Sequence, residues 1–384
     1  MRSTRTTNHE PHTTNITRCI ELARLGAGSV SPNPMVGSVI VDADGRVVGE
    51  GYHQRYGEAH AEVNAVADAK RNGANLRDAT IYVSLEPCSH HGKTPPCADL
   101  IVREGIPRAV IGMRDPFPKV DGAGIGRLRA AGVEVTVGVL EDECRRLNRA
   151  FIHHVQTGRP LVTLKIAQTL DGRTATATGE SKWITSEDSR RRVHQWRAEQ
   201  DAVLVGAGTA HADDPSLTVR LAEGRNPIRI VLDRAGTLPP TLKLFTDAHA
   251  GQTLVVTAED VRPNYIGPAL HLPAPVVNGH VDLTWILDRL GAGDTPLGRP
   301  VQSVLVEAGT GLATAMLPLA DRVALFLAPK LLGSPARPAF GDLGIERMRE
   351  AIGMRIETVE EAGEDVLIVC ERRNGGSPNE GINL

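Results

Sequence analysis

Aromatic residues are scarce in this 384-residue chain: 3%, as three Trp, four Tyr and five Phe. Few rings are therefore available as platforms for single-stranded bases. Positive charge is not in excess either. The formal net charge is −3, so the basic footprint of a nucleic-acid-binding surface is missing. No apolar run approaches the ~20 residues needed to cross a bilayer. The opening stretch, MRSTRTTNHEPHTTN, has no apolar core, so no secretory signal is expected. Residues 1–14 are expected to be a disordered tail, and 373–384 another. The five cysteines (19, 88, 97, 144 and 370) are an odd, scattered set that suggests no disulfide framework. A cytoplasmic homo-oligomer is expected, with no nucleic acid or membrane as partner. At ~100–200 residues per domain, the length suggests two or three domains, and 41% hydrophobic residues supply their cores.

What is present is concentrated between Glu58 and Cys97. His60-Ala61-Glu62 is followed by Pro87-Cys88 and, after eight intervening residues, by Cys97. Imidazole and thiolate are common zinc ligands, and three protein ligands leave a fourth position for water. A zinc-bound water has its pKa lowered to about 7, and Glu62 is placed to shuttle its proton. Residues two apart on a helix point ~200° apart, so His60 and Glu62 cannot share a site from mid-helix. His60 is therefore expected at a helix entry, with Val63, Val66 and Ala67 as the buried stripe. Cys88 should end a strand, 80–85. Cys97, after Pro95-Pro96, should start a helix that runs to Glu104, with Gly105 as its C-cap.

H-x-E…P-C-x-x-C is the zinc deaminase pattern, in which the Glu is a general acid/base and not a ligand. Here the first half matches and the second does not, since SHHGKTPP separates the cysteines. That longer insert closely resembles the bacterial bifunctional deaminase–reductases of riboflavin biosynthesis. A closed structural zinc site would call for a fourth Cys or His. The resemblance extends to SPNPMVGSVIV and GYHQRYGEAHAE, and implies that Asn33 and His53 touch the substrate of the deaminase. A turn Asn and an exposed His are the alternatives.

In chain order, 17–26 reads as a helix, 36–41 as a strand, and Asp44-Gly45 as a hairpin turn. A strand (109–113), a helix (126–131), a strand (134–137) and a helix (141–155) follow. Such alternation indicates a layered α/β domain. Thr157-Gly158-Arg159-Pro160 breaks the last helix, which sets the expected boundary: a deaminase domain over 15–157 and a reductase domain over 158–372. The second domain opens with a strand, 161–167, carrying Val162, Leu164 and Ile166 on one face and Lys165 on the other. Thr185-Ser186 caps a helix to about Glu199. A helix is expected at 283–290 and closing strands at 324–328 and 366–370. Residues 258–300, rich in Pro and Gly, show weak periodicity.

Gly206-Ala207-Gly208 and Gly309-Thr310-Gly311 each follow a strand, and free N–H groups at a helix start suit phosphate. A dinucleotide-binding fingerprint fails, because the third glycine position holds His211 or Thr314 and no ribose-binding acid follows. A tight strand-to-helix turn explains either motif equally well. LKIAQTLDGRTATATGESKWITS, VGAGTAHADDPSLTVR and VEAG…APKLLG resemble the reductase half of the same family. That implies a fold similar to dihydrofolate reductase and the use of NADPH. Carried over by matching position, Ala167, Trp183, Thr209, Asp213 and the run Gly309, Thr310, Gly311, Leu312, Ala313, Thr314 and Ala315 are implied cofactor contacts. Ser181, Arg197, Leu217, Arg220 and Glu307 are implied substrate contacts. EAGTGL here differs from the family's usual EAGPTL or EGG. Arg234, just after a strand, is a candidate partner for the 2′-phosphate.

The resemblance thus implies a cytidine-deaminase-like α/β/α domain followed by a reductase domain, with Zn2+ and NADPH as cofactors. The implied substrate is a small pyrimidine nucleotide, 2,5-diamino-6-ribosylamino-4-pyrimidinone 5′-phosphate. Lys165 is the candidate for binding or polarising its sugar, unless it is an edge lysine. Two rival functions have discriminating features. An RNA or free-base deaminase would want a basic groove and aromatics. A non-catalytic binding protein would have lost Glu62 or a ligand.

Overall fold

The computed structural model describes residues 10–90, 95–263 and 267–372. Residues 1–9 of the tail expected over 1–14, the expected tail at 373–384, and part of the SHHGKTPP insert lie outside them; residues 10–14 are not a disordered tail but open a helix, Glu10–Arg24. The chain folds as two compact units, 1–157 and 158–384.

The first unit runs α1 (Glu10–Arg24), β1 (Gly37–Val41), β2 (Val47–Tyr52), α2 (Ala61–Arg71), β3 (Thr80–Leu85), α3 (Cys97–Glu104), β4 (Arg108–Met113), α4 (Ala123–Ala130), β5 (Glu134–Val137), α5 (Glu141–Leu147) and α6 (Arg149–Thr157). Its sheet has the order β2-β1-β3-β4-β5. β1 is antiparallel to β2 and β3, while β3, β4 and β5 are parallel. Both faces are covered, which is why β1 and β3 are buried at every position. One face packs against α2, α3 and α4 through Val66, Ile101 and Leu128. The other packs against α1, α5 and α6 through Ile16, Ile20, Cys144 and Ile152. Gly105 ends α3 in the left-handed conformation, φ 70°, as its capping role requires.

Three expectations are corrected. α1 begins at Glu10, well ahead of 17, because Ile16 and Ile20 give it a buried face despite its polar first turns. The buried face of α2 is Ala61, Glu62, Ala65, Val66 and Ala69, with Ala67 exposed. The physical reason lies in β2. A Cβ on Gly49 or Gly51 would fall within 2.4–2.7 Å of the α2 backbone and side chains around Ala61, Ala65 and Ala69, so helix and strand meet through their smallest residues. The helix expected over 141–155 is broken at Asn148. The buried Asn148 carboxamide accepts from Met35 N at 2.8 Å and donates to Met35 O at 2.9 Å. A side chain so used ties α5–α6 to the segment that follows the Val30–Asn33 turn.

The second unit contains β6 (Leu161–Thr169), β7 (Arg173–Ala175), α7 (Glu187–Glu199), β8 (Ala202–Gly206), α8 (Ala207–Asp213), β9 (Ile228–Leu232), α9 (Lys243–Thr246), β10 (Thr253–Ala258), β11 (Leu270–Ala274), β12 (Val276–Val277), β13 (His280–Val281), α10 (Leu283–Ala292), β14 (Ser303–Glu307), α11 (Thr310–Met316), β15 (Arg322–Ala328), β16 (Arg337–Pro338), β17 (Met354–Ala362) and β18 (Asp365–Arg372). Nine strands form one sheet in the order β11-β10-β9-β8-β14-β6-β15-β18-β17. The seven from β11 to β15 are parallel, and β18 and β17 close the sheet antiparallel. Val162, Leu164 and Ile166 face a core shared with α10 and α11. On the opposite face α7 brings Val193 against Leu305 and Phe326. Ser186 caps α7, accepting from Ser189 N. The weakly periodic stretch 258–300 holds β11, an edge strand interrupted by Pro273.

Candidate active sites

In the first unit, the ends of two helices and a strand converge. His60 is the N-cap of α2, with extended φ −74° and ψ 165°. That break from helical geometry lets its ring and the Glu62 side chain serve one site. Cys88 lies just past β3, and Cys97 is the first residue of α3. Cys97 N donates to Cys88 Sγ at 3.3 Å, so a helix N-terminus faces that sulfur. His60 Nδ1 lies 3.3 Å from Cys97 Sγ and 3.6 Å from Cys88 Sγ. All three ligand atoms fall within 4.8 Å of one another. A tetrahedral zinc with Zn–S near 2.3 Å and Zn–N near 2.0 Å spaces its N and S ligands about 3.5 Å apart, so this donor set fits zinc. Hydrogen bonding with Cys97 and His60 holds the Cys88 thiol down toward the thiolate a metal needs. Glu62 is 3% exposed, and burial pushes its carboxyl up to about 7.

His53 and Asn33 join this group. The His53 ring lies edge-on to His60, with centroids 5.3 Å apart. His53 Nδ1 donates to Ala59 O at 3.0 Å, which leaves Nε2 to accept from Asn33 Nδ2 at 3.0 Å. That tautomer is neutral, and burial lowers the His53 pKa in agreement with it. The Asn33 oxygen is thereby turned away from His53. His53 is 2% exposed, so the exposed-histidine alternative falls.

One residue went unremarked in the sequence. Glu86 is buried, and its carboxylate accepts from four backbone amides: Asp115 and Gly122 at Oε2, Gly124 and Ile125 at Oε1. It seats the N-terminus of α4 on the Pro87-Cys88 segment. A carboxylate placed directly before Pro-Cys was the available signal.

In the second unit, the C-terminal ends of β8, β14 and β6 lie side by side, the edge where open α/β sheets take ligands. Both glycine motifs sit there and touch: a Cβ on Gly309 would lie 3.7 Å from Thr209 Oγ1, and one on Gly206 3.6 Å from Leu312. Lys165 is on β6, an interior strand, opposite Glu307 in the ladder, so it is not an edge lysine. Its Nζ stands 5.8 Å from the Phe326 ring centroid. Burial lowers its pKa, opposed by Glu307. Arg197 lies alongside on α7, paired with Glu307. Next to them His194 Nδ1 accepts from Arg220 N at 2.9 Å, and burial with the Arg197 and Arg220 charges drops its pKa to about 4.

The remaining residues divide. Ala167, Ser181, Thr209 and Asp213 are half-buried, and Trp183, Gly309, Gly311 and Ala315 are exposed. Ala313 is fully buried. Thr314 Oγ1 is occupied by Thr310 O and Gly341 N. The Leu217 side chain is in the core beside Val203 and Val231, which leaves its backbone, at φ 53°, as the part able to meet a ligand. Arg234 is exposed just past β9.

Known proteins resemble this chain along almost all of it. Residues 10–113 match the family described as the cytidine and deoxycytidylate deaminase zinc-binding region. Residues 160–368 match the RibD C-terminal domain. The riboflavin biosynthesis protein RibD of Actinobacillus pleuropneumoniae is 42% identical over 361 residues, 91% of this chain and 93% of the relative. That of Escherichia coli K12 is 40% identical over 366 residues, 91% and 96%. A solved diaminohydroxyphosphoribosylaminopyrimidine deaminase/5-amino-6-(5-phosphoribosylamino)uracil reductase from Thermotoga maritima superposes with a TM-score of 0.84. It is 39% identical and covers 96% of this chain and 100% of its own.

Proposed function

The chain belongs to the RibD family of riboflavin biosynthesis proteins, and on that premise we propose which of its residues carry the two reactions. It is a bifunctional enzyme, a zinc-dependent deaminase and an NADPH-dependent reductase. It removes the 2-amino group of 2,5-diamino-6-ribosylamino-4(3H)-pyrimidinone 5′-phosphate by hydrolysis. It then reduces the ribosyl side chain, giving 5-amino-6-ribitylamino-uracil 5′-phosphate.

In the deaminase, over residues 15–157, His60, Cys88 and Cys97 hold the metal. Zinc supplies a water acidic enough to be a nucleophile at neutral pH. Glu62 takes that water's proton and delivers it to the departing ammonia, the role such a Glu plays in zinc deaminases. Asn33 and His53 touch the pyrimidine, Asn33 through its carboxamide oxygen and His53 through its ring face. The observation that carries this is the closeness of the three ligand atoms to a Glu buried in the first turn of the same helix.

In the reductase, over 158–372, NADPH supplies the hydride, and the chain binds and orients both reactants. Gly309–Ala315, Thr209, Asp213, Ala167 and Trp183 take the cofactor. Ser181, Arg197, Arg220, Glu307 and the Leu217 backbone take the sugar phosphate, with Lys165 polarising the sugar. Arg234 faces the 2′-phosphate.

The sheet edges support a homo-oligomer. β11 carries Pro273, which blocks further pairing, whereas β17 is nine residues long, lacks proline and leaves Ile356 and Val359 each 60% exposed. Such an edge invites a second copy. The cytoplasm suits a chain whose five cysteines are all unpaired. Among the described residues no helix is long and apolar enough to cross a membrane.

The test is to supply the diaminopyrimidine phosphate with and without NADPH, following ammonia release and NADPH oxidation separately. Ammonia release that needs NADPH would contradict the assignment.

A further inference from the structure

Lys330 lies two residues beyond β15, at the ligand edge of the parallel strands. Its ammonium donates to two backbone carbonyls, Trp183 O at 2.8 Å and Ile184 O at 2.7 Å. Its own backbone is fixed in turn. Lys330 N donates to Ala328 O at 2.7 Å, and its carbonyl accepts from Leu170 N at 3.0 Å. The Trp183 ring is 64% exposed, so no core packing fixes it. Two further cations complete the hold. The Arg190 guanidinium stands 4.3 Å from the Trp183 ring centroid, and Arg190 Nη1 donates to Thr185 O at 2.8 Å. Lys182 Nζ reaches Asp213 Oδ1 at 3.1 Å.

Hydrogen bonds with a charged donor are roughly twice as strong as neutral ones, and Lys330 directs two of them at adjacent carbonyls. Ordering a loop and a large side chain at the moment of binding weakens affinity, and ordering them beforehand removes that penalty. We infer that Lys330 is a positioning residue of the reductase: by fixing the Trp183 and Ile184 carbonyls it presents the Trp183 ring to the nicotinamide cofactor before the cofactor arrives. This rests on the reading of Trp183 as a cofactor contact.

The experiment uses the full chain and the variants Lys330→Met, Lys330→Arg, Trp183→Ala and the double variant Lys330→Met/Trp183→Ala. Without cofactor, hydrogen exchange at the amides of residues 182–185 should quicken about tenfold in Lys330→Met, because the bonds holding the segment are gone. The equilibrium constant for NADPH dissociation should rise about tenfold, appearing in KM far more than in kcat. Lys330→Arg, which keeps a donor cation, should recover most of the affinity. In the Trp183→Ala background Lys330→Met should cost little more, since the ring it positions is absent. Unchanged affinity in Lys330→Met while Trp183→Ala weakens binding would overturn the positioning role and leave the Trp183 reading standing. Unchanged affinity in Trp183→Ala would overturn that reading itself. Additive losses in the double variant, equal losses in Lys330→Met and Lys330→Arg, or the loss of ammonia release together with reduction would each overturn the inference.

Discussion

Arg197 and Glu307 meet as a two-point ion pair, Nε to Oε1 at 2.6 Å and Nη2 to Oε2 at 3.0 Å, with side chains only 10% and 14% exposed. Burial alone would raise the Glu307 pKa. The Arg197 charge and hydrogen bonds, with Lys165 behind them, outweigh it and hold the carboxyl at about 2. Because the folded pKa lies below the unfolded one, the pair's contribution is complete above about pH 4.3 and fades as pH falls toward 2. Both residues are also proposed substrate contacts.

Glu307→Gln therefore strands a buried guanidinium. Removing one partner of a buried pair typically costs about 3–5 kcal/mol. Chemical unfolding should show that loss, and NADPH oxidation should fall with it while ammonia release persists. A variant with unchanged stability and reduction would show that the pair carries neither.

One zinc per chain is expected, lost for the most part in Cys88→Ser. Elemental analysis of purified protein decides this. Full zinc in that variant would sink the ligand assignment.

The two chemistries should separate by residue. Glu62→Gln is nearly isosteric and removes no ligand, so zinc and fold should persist. General acid–base catalysis is typically worth ~10²–10⁴-fold in rate, and deamination should fall by at least that order. Reduction of pre-deaminated substrate should stay near wild type. Lys165→Ala should give the opposite pattern. If Glu62→Gln stopped both reactions on their own substrates, the two-site assignment would be wrong.

Much of this architecture was legible where chemistry or turn geometry constrains the chain tightly. β3 and α3 were placed at their bounds because Cys88 and Pro95-Pro96 punctuate them, and the placement of His60 at a helix entry followed from helical angles alone. The α2 stripe was misread because hydrophobic weighting favours Val63 over Ala65 and Ala69, while close packing against Gly49 and Gly51 favours the smallest side chain. β17, MRIETVEEA, went unseen because an edge strand has no buried face to impose alternation. Lys165 could be placed opposite the apolar face of β6, but its burial depended on a neighbour, β14, that arrives in sequence long afterwards. No local pattern announces Lys330 or Asn148, whose partners are backbone atoms far away in sequence.

Asn148→Ala should loosen the backbone at Met35 and, through it, Asn33. Each lost bond is worth about 1 kcal/mol, and the amide and carbonyl of Met35 are left to find other partners. Deamination should weaken mainly in KM for the pyrimidine, with reduction unaffected. An unchanged KM would mean that Asn33 is held without Asn148.

Met35 and Asn148 are 113 residues apart, and that span gives the deaminase a schedule. A ribosome adding about 5–20 residues per second releases His60, Glu62, Cys88 and Cys97 well before Asn148. Closing so wide a loop lowers the chain's entropy before its contacts can compensate. The metal ligands are thus translated first, and the turn bearing Asn33 is fastened last. On stalled nascent chains, a protease should keep cutting around residues 30–36 until residue 148 has cleared the exit tunnel. Protection there in a shorter chain would break the schedule.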